Sequence, residues 1–570
     1  MFSVSADVED RGSSCRIRVG FNTVLNAKKE ARRLNHDILR TFSTDGVHTF
    51  GDRMATIGID LGTTYSAAAI CRHVGDVRVI PNIEGQDITP SVVFFPETDS
   101  GDEEPLVGMM AKNSAASAPQ CVVRSIKRMM GDKDFCYYSP NGHELRPEVI
   151  SAFILKHIKK YVEVDLGEAV TDAVITVPAY FDDVRRTATK QAGRIAGLNV
   201  LQVFNEPTAV ALAYGIGLQD VGRILVYDLG GGTFDVTLMH VHDGEFDVIA
   251  TDGDPELGGD DFDREITRLV VADLARQGYV VDEDNEDILC AEIEEKAEIL
   301  KRGLSNVPQS TAMFTIDGKN YRVRITREQF EQATHSLLER TRERTEILLE
   351  SQHLNWADID RLLMAGGSTR MPMVRQMLQQ ISGKSIGNEV NQDTAVSMGA
   401  AIYAKYLETE NGRNTDERSP ASVREEAPSI RISDVTSQSL GIVAKNPKTG
   451  EPENSIIIQR NTHIPAKYSD TYCTTIDNQR SINIQVTEGN DPELEYVRIV
   501  GEKTLPIPPH PKHSPIKVTI AYDIDQTVYV EVTDLVTDGA LGTFEIDRAD
   551  NLSEPEVQSL QKSVEGVAID

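Results

Sequence analysis

The sequence predicts a mixed α/β domain of two similar lobes, followed by an antiparallel β-sandwich and a short C-terminal helix. Residues 226–235 (VYDLGGGTFD) place an apolar run, an acid and three glycines before a second apolar alternation. This is the pattern of a strand, a tight turn and a returning strand. Residues 57–64 (IGIDLGTT) repeat the pattern about 170 residues earlier, which predicts the second lobe. After residue 432, short period-2 runs and turns rich in Asn, Asp, Gly and Pro are typical of a sandwich.

Length and charge limit the classes of function. The 570 residues predict three or four compact units, and no apolar run approaches 18 residues, so we expect no membrane partner. The net charge of −31 disfavours nucleic acid, which binds basic surfaces. Six scattered cysteines without a CxxC pair are typical of a reducing compartment, so we expect a cytoplasmic protein without structural zinc.

The domain boundaries follow from changes of pattern. Residues 1–53 mix charges and lack an apolar segment, so we interpret them as a disordered tail or a mis-assigned start, with Met54 as the natural start. We expect a two-lobed domain over 54–411, a polar linker over 412–433, the sandwich over 434–548 and a helix within 549–570.

Within the first domain, helical periodicity predicts mostly helix over 106–130, an amphipathic helix over 147–164 and a helix over 182–196. A strand over 200–204 runs into a helix that Asn205 caps. A long helix is predicted over 327–349 and a final one over 552–567, which Ser553 caps.

The glycine-rich turns predict phosphate binding. Gly230, Gly231 and Gly232 allow successive backbone N–H groups to approach phosphate oxygens. Asp228 and Asp235 would repel a bare phosphate, so a divalent cation and its waters would have to lie between them. A purely structural hairpin explains one such turn equally well.

A third element strengthens the nucleotide interpretation. Residues 362–370 (LLMAGGSTR) read as a buried strand that runs into Gly366, Gly367 and Ser368, where a base and ribose could approach the backbone. Three such elements predict nucleotide binding between two facing lobes.

Several charged residues have two possible interpretations. Lys127, in RSIKRMMG, is either a solvated charge or a ligand of the terminal phosphate. Glu206 stands where a strand end meets a helix start, a usual place for functional groups, but it could also complement the helix dipole. The stretch EILKRGLS (298–305) is either a solvated helix end or one flank of an adenine.

The chain resembles the 70-kDa heat-shock chaperones of the DnaK type from about residue 56 to its end. The motifs that carry the resemblance are IGIDLGTTYS, ITVPAYF, NEPTAVALAYG, VYDLGGGTFDV, LGGDDFD, GGSTRMP, NTHIPAKYS and DNQRSINIQV. The resemblance implies an actin-like (ribonuclease H-like) ATPase domain followed by a peptide-binding sandwich.

The resemblance also implies a set of site residues. ATP or ADP would bind with Mg²⁺ and K⁺, and the metals would lie near Asp60, Asp228 and Asp235. Catalysis would involve Lys127, Glu206, Asp228, Thr233 and Asp60. The nucleotide would contact Gly62, Thr63, Thr64, Gly230, Gly231, Gly232, Glu298, Lys301, Arg302, Ser305, Gly366, Gly367, Ser368, Arg370 and Asp393. Pro178 and Arg186 would form an interdomain switch, and Ile442, Ile476, Ile482 and Ile484 a peptide groove.

The chain departs from the family pattern in its coupling and substrate parts. The linker before Asp434 reads IRIS (430–433) and is half polar instead of apolar. Gln202 stands where the family commonly has a basic residue that J-domain partners contact. The loops 445–454 and 501–514 are charged or proline-rich, and one helix replaces the family's long helical lid. We therefore expect a divergent member with a truncated lid.

The leading interpretation is a chaperone that slowly hydrolyses ATP to control the binding of extended apolar segments of unfolded proteins. A J-domain protein and a nucleotide-exchange factor are candidate partners. One alternative is an ATP-gated protein that serves a single dedicated partner. Another is a small-molecule kinase of the actin-like fold, which would need an acceptor pocket and would not need the sandwich.

Overall fold

The computed structural model describes residues 54–569 except 74, 100, 116, 216–219, 280–285, 317, 387–390, 416–429, 524–526 and 547–550. The interpretation of residues 1–53 lies outside the described residues.

The first lobe is built on a mixed sheet with the strand order β11-β10-β1-β2-β3. Its elements are β1 Met54–Asp60, β2 Tyr65–His73, β3 Asp76–Ile80, β4 Thr89–Pro90, β5 Val93–Phe94, β6 Leu106–Val107, α1 Met109–Ser114, β7 Val122–Val123, β8 Tyr137–Tyr138, β9 Glu144–Leu145, α2 Pro147–Leu166, β10 Ala169–Val177, α3 Asp183–Ile195, β11 Asn199–Asn205 and α4 Glu206–Gly215.

Local sequence accounts for the principal elements of this lobe. Strand β1 runs parallel to β10, and its Ile57 and Ile59 on one face and Gly58 on the other are all buried, as expected for a central strand covered on both faces. Helix α2 begins with Pro147 and ends at Gly167, which adopts the left-handed conformation. The Asp182 carboxylate accepts a hydrogen bond from the Arg185 N–H (2.8 Å) and so caps α3.

The second lobe repeats the central arrangement of the first. Its elements are β12 Asp220–Leu229, β13 Phe234–His242, β14 Glu245–Asp254, α5 Gly259–Arg276, α6 Glu286–Asn306, β15 Gln309–Ile316, β16 Lys319–Thr326, α7 Arg327–Ala333, α8 His335–Ser351, β17 Arg361–Ala365, α9 Pro372–Ser382 and α10 Ala395–Thr415. An antiparallel meander, β12-β13-β14, has β17 parallel to its first strand, as β1-β2-β3 has β10. The repeated sequence pattern therefore corresponds to a repeated sheet.

Two predictions of secondary structure are wrong. The described residues of 106–130 contain one short α-helix, α1, which the strand β6 precedes and which β7 and two 3-10 turns follow. The backbone turns at Gly108 and Ser125, which both have positive φ, and this breaks the helical periodicity. The expected helix over 327–349 is divided at Thr334, whose hydroxyl donates back to the Phe330 carbonyl (2.8 Å).

The C-terminal part consists of strands and one helix. Its elements are β18 Arg431–Val435, β19 Leu440–Lys445, β20 Pro452–Ile458, β21 His463–Ile464, β22 Ala466–Cys473, β23 Gln479–Glu488, β24 Arg498–His510, β25 Pro515–Tyr522, β26 Val528–Asp534, β27 Gly539–Glu545 and α11 Glu554–Gly566. Two four-stranded antiparallel sheets, β20-β19-β23-β24 and β22-β25-β26-β27, share one apolar core, which includes the fully buried Val486, Val518 and Val530.

The segment between the two parts has more regular structure than its composition predicts. Helix α10 continues to Thr415, past the expected boundary at 411, and residues 416–429 lie outside the described part of the chain. Residues 431–433 lie in β18, which pairs in parallel with β14 and extends the second-lobe sheet. The end of the expected linker is therefore a strand.

Helix α11 packs on the first lobe. Its Val557 and Val564 are buried in the apolar core that contains α2 and α3. The Lys156 ammonium donates to the Val564 carbonyl (2.5 Å) and the Val567 carbonyl (2.7 Å), which caps the end of the helix. Among the described helices, none has the length and apolar character needed to cross a membrane.

Candidate functional site

The two glycine-rich turns face each other at close range. A Cβ on Gly231 would lie 1.7 Å from the Thr64 Oγ1 atom, and one on Gly232 would lie 2.4 Å from the Thr63 Cγ2 atom. No side chain fits at either position, so glycine is required for this approach. The turns after β1 and β12 therefore form the opposite walls of one cleft.

This cleft opens into a cavity of about 730 Å³, a size typical of sites for nucleotide-sized ligands. The cavity is lined by all the catalytic, metal and nucleotide residues that the sequence suggested except Gly232 and Asp235. These residues come from at least six separate stretches of the chain, and the fold brings them together.

Buried acids surround Lys127 at the base of the cavity. Lys127 and Glu206 form an ion pair in which both residues are buried. Burial and the neighbouring Glu206 raise the pKa of Asp60 to about 7. Burial and Glu206 also raise the pKa values of Asp228 and Asp235 well above the ordinary value. The site thus contains more negative charge than Lys127 neutralises.

The acids fit a hydrated divalent cation. One buried oxygen of Asp235 has no hydrogen-bond partner, which leaves it able to accept from a cation's water. Among the described residues, no three His, Cys, Asp or Glu side chains converge as direct metal ligands. Asp60 and Asp228 line the cavity and Asp235 does not, and the three carboxylates suit a cation held through water.

The far end of the cavity is built around the Gly366 turn. A Cβ on Gly366, whose φ is +80°, would lie 2.3 Å from the Leu229 carbonyl, so the turn lies directly against the end of β12. The Ser368 hydroxyl donates to the Gly230 carbonyl (2.8 Å), and Arg370 pairs with Asp393 (2.6 Å). These contacts fix the second-lobe turns relative to one another.

Helix α6 supplies the remaining predicted nucleotide residues, but their partners were not foreseen. Lys301 pairs with Asp263 (2.6 Å) and donates to the Gly259 carbonyl (2.9 Å). Glu298 pairs with Lys112 of the first lobe and accepts from the Tyr65 hydroxyl (2.8 Å). Burial raises the pKa of Glu298, but the nearby Lys112 ammonium outweighs this and holds it below the ordinary value. Glu298 therefore bridges the two lobes at the rim of the cavity.

The two expected switch residues lie between the cleft and the C-terminal sheets. The Phe181 N–H donates to the Pro178 carbonyl (3.1 Å), which closes a turn after β10. The buried Arg186 guanidinium donates to the Phe181 carbonyl (3.0 Å) and to the Asn205 side chain. Asn205 in turn donates to Asp434 of β18 (2.5 Å). Since Asn205 immediately precedes Glu206, the backbone at this point and the contacts of Asn205 together connect the acids to β18.

The four expected groove residues are not equivalent. Ile442 and Ile484 are buried in the core between the two C-terminal sheets, and Ile482 packs partly against it. Ile476 is 61% exposed, in the turn between β22 and β23. The structure therefore brings three of them to one core and leaves one in solvent.

The contacts that sequence reasoning missed join residues far apart in the chain. Lys112 and Arg128 carry no motif of their own, whereas Asp261 and Asp263 lie in the motif LGGDDFD, and the partners of all four are between 38 and 186 residues away. The local signals were this motif and the adjacency of Arg128 to Lys127, and neither of them indicates the partner.

The comparison with family models agrees with the geometry. The model described as Hsp70 protein matches residues 56–136 and 134–569, which is most of the chain. The chain therefore belongs to the Hsp70 family, whose members are ATPases that use ATP or ADP with Mg²⁺ and act as ATP-dependent chaperones on unfolded peptides with co-chaperones.

Proposed function

We propose that ATP is bound and hydrolysed in the cavity between the lobes, and that its hydrolysis controls the binding of extended apolar peptides by the C-terminal sheets. The observation that carries the proposal is the buried Lys127–Glu206 pair beside Asp60 and Asp228, at the base of a cavity walled by two glycine turns. Phosphoryl transfer to water depends mainly on positioning and charge stabilisation, and this arrangement provides both.

In the proposed reaction, a water oxygen attacks the terminal phosphorus and the bond from that phosphorus to the bridging oxygen of ADP breaks. One water proton stays on inorganic phosphate and the other is released. Lys127, held by Glu206, orients the attacking water and the terminal phosphate, and Thr233 lies beside that phosphate. Mg²⁺, held through water by Asp60, Asp228 and Asp235, would neutralise phosphate charge, and K⁺ would add to this.

Coupling to peptide binding uses the polar contacts next to Glu206. Asn205 binds both Arg186 and Asp434, and β18 extends the second-lobe sheet. A shift of Glu206 on hydrolysis therefore alters the attachment of β18. Ile442 and Ile484 are buried in the arrangement described, so release of β18 would be accompanied by a rearrangement that opens the groove, with the exposed Ile476 as the first contact of a peptide.

The test is steady-state ATP hydrolysis by the full chain with Mg²⁺, with and without an apolar heptapeptide and a J-domain protein. We expect Lys127→Ala to lower the rate by about 100-fold or more, because it removes the charge that orients the attacking water. The exposed Lys448 in the β19–β20 loop gives a matched control, Lys448→Ala, that should retain the full rate.

Each outcome decides a separate part of the proposal. Hydrolysis that survives in Lys127→Ala would refute the assigned site. A rate that neither peptide nor J-domain protein raises would refute the coupling but leave the ATPase in place.

A further inference from the structure

The turn that carries Lys127 is attached to the opposite lobe on both of its sides. Ser125 precedes Lys127 with a left-handed backbone (φ 52°), and its hydroxyl donates to the Asp260 carboxylate of α5 (2.6 Å). Arg128 follows Lys127 and contacts Gly232 and Asp261 of the second lobe. A non-glycine residue keeps a left-handed conformation only where its surroundings require it, so the position of this turn is strongly specified.

Arg128 makes the firmer of the two attachments. Its Nε and one terminal nitrogen donate to the Gly232 carbonyl at 2.9 and 2.6 Å, and the same terminal nitrogen pairs with Asp261 at 2.7 Å. The side chains of Arg128 and Asp261 are only 14% and 9% exposed. Charge-assisted bonds that are shielded from water are stronger and more directional than surface pairs.

The acceptor of this arginine is itself rigid. The Asp261 carboxylate also accepts the Gly258 N–H (2.8 Å) at the start of α5. The next two amides of that helix start, those of Gly259 and Asp260, donate to the Gly230 and Gly231 carbonyls (3.0 and 2.7 Å). Arg128 therefore joins the Lys127 turn to the start of α5, which is itself hydrogen-bonded to the glycine turn of residues 230–232.

The Gly232 carbonyl shares its peptide plane with the N–H of Thr233. In a trans peptide the two groups point in opposite directions, so a cation that holds the carbonyl also fixes the direction of that N–H. Thr233 lines the nucleotide cavity, whereas Gly232 does not. One side chain thus sets both the distance from Lys127 to the second lobe and the orientation of a backbone donor at the cavity wall.

We propose that Arg128 is a positioning residue for ATP hydrolysis, which joins the Lys127 turn of one lobe to the Gly232–Thr233 peptide of the other. It acts on the rate of phosphoryl transfer and not on the affinity for ATP. This inference rests on the proposed function, because it assigns a role within the same site.

The test compares Arg128→Gln with Arg128→Lys and with Arg268→Gln, a control that removes an exposed arginine (74%) paired with Glu265 of the same helix. Single-turnover hydrolysis, equilibrium ATP binding and the thermal midpoint are measured for each full-length variant. We expect Arg128→Gln to lower the single-turnover rate by about 10- to 100-fold, because small displacements of catalytic groups have effects of this size. ATP affinity should stay within about twofold of wild type.

Arg128→Lys should recover part of the lost rate, because an ammonium can reach one of the two acceptors but cannot reproduce the planar fork. This rescue separates positioning from a general loss of folding, which would lower the thermal midpoint and the fraction of protein that binds ATP.

An unchanged rate in Arg128→Gln would overturn the inference, and so would a loss that appears entirely as weaker ATP binding, which would make Arg128 a nucleotide ligand. A wild-type chain without hydrolysis would instead refute the proposed function. The two failures are therefore distinguishable.

Discussion

At the scale of single residues, the acids at the base of the cavity lower the stability of the ligand-free protein. Asp228 and Asp235 are buried and Asp60 is half-buried, all three lie close to Glu206, and Lys127 offsets only part of their repulsion. Burial and mutual repulsion disfavour their charged forms, which is why their pKa values lie above the ordinary range. Residues kept in this state are typical of sites where ligand binding relieves the repulsion.

Asp235→Asn should therefore stabilise the ligand-free protein while weakening its response to nucleotide. Removing one buried negative charge lowers the repulsion, and we expect the thermal midpoint without nucleotide to rise by roughly 2–4 °C. The further rise on adding Mg²⁺ and ATP should shrink, because one acceptor for the cation's waters is lost.

The measurement is thermal unfolding with and without Mg²⁺ and ATP. Asp76→Asn, a change at an exposed position of β3, is the matched control and should alter neither midpoint. A lower midpoint for ligand-free Asp235→Asn would show that the carboxylate has a structural partner that outweighs its repulsion.

The residue scale also shows where sequence reasoning reaches its limit. Lys127 and Glu206 were candidates because a motif or a strand end marked them. Arg128 binds Gly232 across 104 residues and Lys112 binds Glu298 across 186, and no local pattern records such a pairing. The turn residues could be predicted since glycine is required wherever backbones meet closely, but the contacts between lobes depend on the complete fold.

At the scale of elements, β18 shows how tertiary context overrides local composition. Its residues alternate apolar and polar, and the sequence alone predicted a linker. In the structure Ile432 packs partly against the core shared by α4 and α10, while Arg431 and Ser433 point away from it. Strand β18 lies between β14 and the two-residue strand β21, and a half-polar strand suits a place where only one face of the sheet is covered. The error over 106–130 is of the opposite kind, because a helical pattern there is interrupted by left-handed backbone.

Arg431→Pro should detach β18 from the second lobe. The Arg431 N–H donates to the Gly244 carbonyl (3.0 Å), and proline lacks this donor. We expect a loss of about 1 kcal/mol or more from the missing bond, seen as faster hydrogen exchange of the amides of β18. If hydrolysis is coupled through β18, ATP turnover in this variant should no longer respond to peptide.

Arg431→Ala is the control for that change. It removes the exposed ion pair with Glu245 (2.9 Å) but retains the backbone N–H, and exposed pairs contribute little. Equal effects of Arg431→Pro and Arg431→Ala would mean that the side chain, and not the strand pairing, holds β18 in place.

At the scale of the whole molecule, the C-terminal sheets contact the first lobe through an acidic interface. Glu488, at the end of β23, is buried near Asp182 and Asp183 at the start of α3. Arg498 pairs with Asp182 (3.1 Å), and Arg185 also faces Glu488, so the cations offset only part of the repulsion. Tyr522 of β25 lies against the same carboxylate. Glu488 is separate from the adjacent Asp182 and Asp183 when the sheets are released, and it becomes their neighbour when the sheets contact the first lobe.

This arrangement makes the contact between the sheets and the first lobe dependent on pH. When the sheets contact the first lobe, burial raises the pKa of Glu488 well above its ordinary value of 4.5, and the nearby Asp182 and Asp183 add smaller contributions in the same direction. A carboxyl group whose pKa is raised by a contact favours that contact while it is protonated. The stabilisation of the contact by protonated Glu488 is therefore complete below about pH 4.5 and is lost as the pH rises through the raised pKa. Over this range the equilibrium constant for contact falls by at most about tenfold per pH unit.

Glu488→Gln should remove this part of the pH dependence, because glutamine remains neutral and nearly the same size. Hydrogen exchange of β18 and small-angle scattering, measured over a pH series on the full chain, report whether the sheets remain in contact with the first lobe. In wild type we expect release to increase with pH, and in Glu488→Gln we expect a weaker slope and more contact at the upper end of the series. Glu495→Gln, at an exposed position of the same sheet region, should follow wild type. If the release of the sheets depends on pH with the same slope in wild type and in Glu488→Gln, the prediction is wrong. Arg498 and Arg185 would then compensate the charge of Glu488 fully, and its ionisation would not affect the contact.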